Sequence, residues 1–155
     1  MSRPNRGKEF ESRFAKDWKK AFPSTFILRL RDNTSGYKFN SKNPCDFICF
    51  PNDNLYLLEV KSHYKNRFPF SNLTQYDDLI SYRNCKNIKI GVVIWFIDHD
   101  RIIFVDIDTI EKMKMDGLKS VNIRLIDKQG YKYTEIPSTK KRVYLESDYT
   151  ILLYN

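Results

Sequence analysis

Apolar residues recur at helical spacing over residues 8–22, where Phe10, Phe14, Ala15, Trp18, Ala21 and Phe22 make one broad stripe and Pro23 closes the run. The spacing predicts an amphipathic helix. At about 100° per residue, Glu11 projects into the middle of the stripe and Glu9 to the opposite, solvated side. An inward carboxylate is costly unless it is paired or binds a metal, so Glu11 is the informative acid of this helix.

The period then shortens. Residues 25–30 read as a short strand, and residues 31–43 have no apolar periodicity, forming a loop or a small protruding hairpin that turns near Ser35 and Gly36. Two strand-like runs follow, 47–50 and 55–60, separated by Pro51, Asn52, Asp53 and Asn54, which have turn chemistry. After a basic, aromatic connector (63–70), Ser71, Asn72 or Thr74 can cap a helix running to about Arg83. Residues 88–97 are uniformly apolar and β-branched, as expected of the buried centre of a sheet. Asp98, His99 and Asp100 turn into a strand over 101–107, and Asp108 or Thr109 caps a short helix ending near Met115. Segments 122–126, 131–136, 142–144 and 150–154 look strand-forming. With no repeats, low-complexity tracts or linkers, the order (helix, three strands, helix, strands) predicts one α/β domain over residues 1–155, built on a mixed sheet.

The central hairpin carries the chemistry. If 51–54 is its loop, Phe50 pairs with Leu55, and counting outward puts Asp46 opposite Glu59. The strand period sets Glu59 and Lys61 on one face and Leu58 and Val60 on the other. Facing carboxylates about 5 Å apart at Cβ repel unless something neutralises them. A divalent cation would do so; an all-oxygen site suits Mg²⁺, with Mn²⁺ as substitute, and such a metal serves phosphodiester cleavage.

Charge agrees with that chemistry. The 155 residues carry a formal +8, with both signs mixed along the chain and 15% aromatics, a composition that suits a polyanionic partner. No apolar stretch approaches the ~20 residues of a membrane span and no signal peptide is evident, so a cytoplasmic location and no membrane partner are expected. Cys45 and Cys49 share a strand face, but no other Cys or His has ligand spacing, so reduced thiols rather than a zinc site are expected of the three cysteines.

Four pieces, in order, resemble the PD-(D/E)xK nuclease superfamily, and within it the RecU-type Holliday junction resolvases of Gram-positive bacteria and their phages. They are Asn5-Arg6-Gly7-Lys8-Glu9-Phe10-Glu11, Asn43-Pro44-Cys45-Asp46-Phe47, Glu59-Val60-Lys61, and Phe68-Pro69-Phe70-Ser71-Asn72-Leu73 with Gln75 following. Lys140-Lys141-Arg142-Val143-Tyr144-Leu145 resembles a C-terminal basic-Tyr-Leu element. The resemblance implies a restriction-endonuclease-like core with a central mixed sheet flanked by helices. It also implies a homodimeric, Mg²⁺-dependent endonuclease of recombination and repair that resolves four-way DNA junctions by paired nicks, leaving 5′-phosphate and 3′-hydroxyl ends. The insert of residues 31–43 is shorter than the family's stalk.

On this reading Asp46 and Glu59 hold the metal with the carbonyl of Val60. Lys61 orients the attacking water or stabilises phosphorane charge. Glu11 joins the metal site or else pairs with a basic side chain, and Gln75 hydrogen-bonds water or phosphate or else lies on a helix surface. Phosphate contacts are expected from Arg31, Lys38, Lys42, His63, Lys65, Arg67, Lys140, Lys141 and Arg142, with Tyr37, Phe39, Tyr64 and Phe68 as aromatic partners that pack on or wedge into an open junction. The alternatives are a PD-(D/E)xK nuclease acting on other DNA and a non-catalytic module that binds branched DNA.

Overall fold

The computed structural model describes residues 4–31 and 43–154. Helix α1 (Arg6–Ala21) starts where the Asn5 side chain accepts a hydrogen bond from the Lys8 N–H (3.2 Å), and Lys19 and Lys20 occupy its last turn, where cations complement the helix dipole. Strands β1 (Phe26–Arg29), β2 (Phe47–Phe50) and β3 (Leu55–His63) form an antiparallel meander. Next come β4 (Arg67–Pro69), a 3₁₀ turn at Phe70–Asn72 and α2 (Tyr76–Ser81). The chain continues through β5 (Ile88–Phe96), a 3₁₀ turn at Ile97–His99, β6 (Arg101–Asp106) and α3 (Ile107–Met115). It ends with β7 (Ser120–Asn122), α4 (Ile126–Gln129), β8 (Thr134–Glu135), β9 (Ser138–Lys140), β10 (Leu145–Ser147) and a 3₁₀ segment at Tyr149–Leu153.

Among the described residues the main sheet has six strands in the order β1-β2-β3-β5-β6-β8, of which only β3 and β5 run parallel, in a register that sets Glu59 beside Val92 and Lys61 beside Ile94. Alternation along these strands feeds two cores. Leu57, Ile90, Val92, Ile94, Ile103 and Val105 pack under α2, α3 and the β4–β7 pair. Phe47, Leu58, Val60, Val93 and Ile102 pack under α1, whose Phe10, Phe14 and Trp18 are buried. Burying both faces of β5 explains its unbroken apolar run. Gly91 is required there: a Cβ would collide with the Phe104 ring and come within 2.7 Å of the Val105 carbonyl.

Several expected boundaries move, each for a local reason. The second helix is shorter than predicted and begins at Tyr76 with Gln75 at its N-cap, because the chain first makes the 3₁₀ turn at Phe70–Asn72; none of Ser71, Asn72 and Thr74 is the cap. Asp106, not Asp108 or Thr109, caps α3: its backbone is still extended and its Oδ1 accepts from Thr109 N–H (2.7 Å). Segment 122–126 leaves the strand when the Asn122 side chain accepts from the Arg124 N–H (3.0 Å), turning the chain towards α4. Residues 142–144 form the turn between β9 and β10, and 150–154 is largely 3₁₀, capped by Asp148.

Candidate active site

Ladder contacts Phe47↔Leu58, Ile48↔Leu57 and Cys49↔Tyr56 extend by one residue to set Asp46 opposite Glu59. Asp46 lies just before β2, and its N–H still donates to the Leu58 carbonyl (3.1 Å). Its Oδ2 accepts the Val60 N–H (2.8 Å), so the side chain is held against the strand that carries its partner. Lys61 Nζ lies 2.9 Å from Glu59 Oε2 and 3.5 Å from Asp46 Oδ2. One ammonium thus serves two carboxylates on the face away from α1.

Glu59 is the unusual group. It is 1% exposed, and among the described residues its nearest charged neighbour is the Lys61 ammonium, 2.9 Å from Oε2, with no backbone N–H or hydroxyl donating to either oxygen. Burial, and then the neighbouring Asp46, push its carboxyl up to about 7, against the pull of Lys61. Burial alone would lower the Lys61 ammonium, but Glu59 and Asp46 outweigh it and hold its pKa above the ordinary lysine value. Two hard oxygen ligands on adjacent strands, one with unsatisfied lone pairs in a dry setting, fit a divalent cation.

Other expected residues fall elsewhere. Glu11 makes a close ion pair with Arg29, a partly exposed residue of β1; α1 lies on the Val60 face of the sheet, opposite the side that presents Glu59. Among the described residues no group of three His, Cys, Asp or Glu side chains could hold a metal ion, so any metal would rest on Asp46 and Glu59 with non-carboxylate ligands. Gln75, half-buried, accepts from the Thr74 hydroxyl (3.1 Å). His63 is the last residue of β3 rather than part of a connector, on the same face as Glu59 and Lys61, and it packs edge-on against Phe68 and Phe96. Phe68 is 1% exposed, a core residue and not an aromatic wedge, whereas Tyr64 is exposed.

Arg67 is exposed on β4, and Lys65 has a left-handed backbone whose N–H donates to Asp98 (2.6 Å). Exposed Arg31 offers its carbonyl to Asn43 Nδ2 (2.7 Å). Lys140 pairs with Asp100, Lys141 lies 4.0 Å from Glu146, and Arg142 is exposed. Lys38, Lys42, Tyr37 and Phe39 lie outside the described residues. Cys45 sits in the core on the Glu59 side and Cys49 in the α1 core, so the two do not share a face; both are free thiols. Burial and the charge of Glu59 push the Cys45 thiol up to about 12, which keeps it protonated.

One buried acid escapes the sequence reading. Asp17, 1% exposed on α1, accepts from Arg13 (2.6 Å) and from the Ser147 N–H (2.9 Å), tying the helix to β10. The signal was present: Asp17 lies three residues after Phe14 and four before Ala21, within the apolar stripe.

No protein-family model matches the chain, and no curated protein matches it. Its fold is a mixed α/β one with a central mixed sheet flanked by helices, the restriction-endonuclease-like architecture. Among solved structures it is similar to Hjc of the archaeal hyperthermophile Archaeoglobus fulgidus, a Holliday junction resolvase, with a TM-score of 0.51 and 17% identity over 66% of this chain and 78% of that one. At that identity the likeness is one of fold. No helix among the described residues is long and apolar enough to cross a membrane.

Proposed function

We propose that the protein is a Mg²⁺-dependent endonuclease that cuts branched DNA, with a four-way junction as its substrate. The observation that carries this reading is the buried Glu59 carboxylate facing Asp46, with the Lys61 ammonium within reach of both acids. A fold shared with a junction resolvase adds support.

Asp46 and Glu59 would hold the cation, joined by the Val60 carbonyl, while Glu11 stays paired with Arg29. When bound, the metal supplies charge for the phosphate oxygens and lowers the pKa of attacking water. The chain does the rest. Glu59, buried and fixed on β3, offers its carboxylate without having to be ordered first. Lys61 orients the attacking water or steadies charge on the pentacovalent phosphorus, an interaction strongest in the transition state. Gln75, at the N-cap of α2, would hydrogen-bond the water or a phosphate oxygen. His63 extends the same strand face and would meet a neighbouring phosphate. Two symmetric nicks need two sites, which a homodimer with a twofold axis supplies.

The test is cleavage of a synthetic four-way junction beside linear duplex, flap and fork, with Mg²⁺, Mn²⁺ or EDTA. Paired nicks in the junction that require metal and are lost in Asp46→Asn support the reading. Equal cutting of linear duplex would reassign the substrate, and salt-sensitive junction binding without any cleavage would make the protein a binding module.

A further inference from the structure

On the side of the molecule away from Glu59, a groove of about 650 Å³ runs along the outer face of α1. Arg6, Lys8, Arg13 and Lys16 line it against one carboxylate, Glu9. Lys8, Ser12 and Lys16 follow one another at i, i+4 and i+8, about 6 Å apart along the helix axis. Neither lysine has an ion-pair partner among the described residues. The far wall is the turn between β9 and β10. It is pinned to the helix in two places: the Arg13 guanidinium lies 4.4 Å from the centre of the Tyr144 ring, and Arg6 donates to the Val143 carbonyl (3.5 Å). Exposed Arg142 precedes Val143 in this pinned turn.

We infer that this groove binds the phosphodiester backbone of a duplex arm of the substrate, remote from the bond that is cut. This rests on the nucleic-acid reading of the chain above. Cations outnumber the single carboxylate four to one along the groove, and Lys8 and Lys16, which are not committed to ion pairs, project from one face of α1. The groove lies on the α1 side of the sheet, away from Asp46 and Glu59, so only an arm long enough to extend beyond the cut site reaches it, and the groove senses arm length and not the branch itself. A stretch of solvated lysines with no partner would show neither property.

The experiment compares equilibrium binding, in EDTA, of four-way junctions with long (about 20 base pairs) and short (about 6 base pairs) arms across a salt series. The wild type should bind the long-arm junction some 10- to 100-fold more tightly, with a steeper salt dependence. Each phosphate contact adds about 0.9 to the slope of log affinity against log salt. The Lys8→Ala, Lys16→Ala, Arg142→Ala triple variant should bind both junctions as the wild type binds the short one, its slope reduced by about 2 to 3. A variant carrying Lys8→Arg, Lys16→Arg and Arg142→Lys should keep the arm-length effect, which separates charge from fold. Unchanged long-arm affinity and slope in the Ala variant would overturn the proposal. So would a loss of dimer mass in sedimentation with unchanged DNA binding, since the groove would then be a contact between copies. Arm-length-dependent binding by a wild type that cuts nothing in Mg²⁺ or Mn²⁺ would sink the nuclease reading and leave the groove standing.

Discussion

The Val60 N–H donates to Asp46 Oδ2 at 2.8 Å, so one backbone bond fastens the acid that precedes β2 to the strand that bears Glu59. The ligand geometry is therefore set by the sheet ladder, and a change of one atom at Asp46 removes charge without moving the backbone.

Asp46→Asn and Glu59→Gln should each lower junction cleavage at saturating DNA by roughly 10²-fold or more, with junction affinity in EDTA little changed. EDTA should abolish cleavage by the wild type, and Mn²⁺ should replace Mg²⁺. A gel-based nicking assay beside a binding titration reads both quantities; wild-type rates in either variant would remove these residues from the site.

Metal-free stability should carry the signature of Glu59. Its carboxyl sits near 7 in the folded chain against an ordinary value of 4.5, chiefly because of burial. Native protein therefore holds this proton more tightly than unfolded chain, so stability falls as pH rises from about 4.5 to about 7 and then levels off, a loss on the order of 3 kcal/mol. The Lys61 pKa is raised as well, but its contribution is lost only above pH 10.5, outside this window. In thermal melts with EDTA, Glu59→Gln should gain on the wild type between pH 5 and pH 8, and Mg²⁺ at pH 8 should recover the wild type alone. A constant difference between the two across this range would refute the burial argument.

Asp17→Ala should destabilise the fold by about 2 kcal/mol, since it leaves the buried Ser147 N–H without its acceptor and removes the Arg13 ion pair, although Arg13 keeps Tyr144 and Glu146 close by. Urea unfolding reads the change. The metal dependence of cleavage should persist in the folded fraction, because the helix lies on the other face of the sheet from Glu59.

Gly91→Ala should cost about 2 kcal/mol or more, because the added methyl meets the Phe104 ring and the Val105 carbonyl in the middle of the sheet. Phe104→Leu in the same chain should recover part of the loss; additive costs would point to backbone strain instead.

The parts of the fold legible in sequence are those set by local pattern. The α1 stripe, the Pro51–Asn54 turn and the uniform run of β5 each leave a period or a composition behind, and the hairpin register followed from counting. What was not legible depends on contacts across the chain. Residues 150–154 have strand composition, yet Asp148 caps a 3₁₀ turn there that docks Leu152 in the α1 core. The Arg29 partner of Glu11 stands on another strand, and which face α1 covers is decided by packing that no helical wheel contains. The pairing of Asp17 with the Ser147 N–H spans 130 residues and has no sequence signature.

Strand β3 has one further consequence. It bonds to β2 on one edge and β5 on the other, and its side chains enter both cores, with Leu57 on one side and Leu58 and Val60 on the other. Such a strand opens last. The amides of Glu59, Val60 and Lys61 should exchange with solvent only when the whole chain unfolds, at rates that track global stability. The chemistry is then all or none: heat or denaturant should reduce the number of competent molecules, while each one that remains folded keeps its full rate.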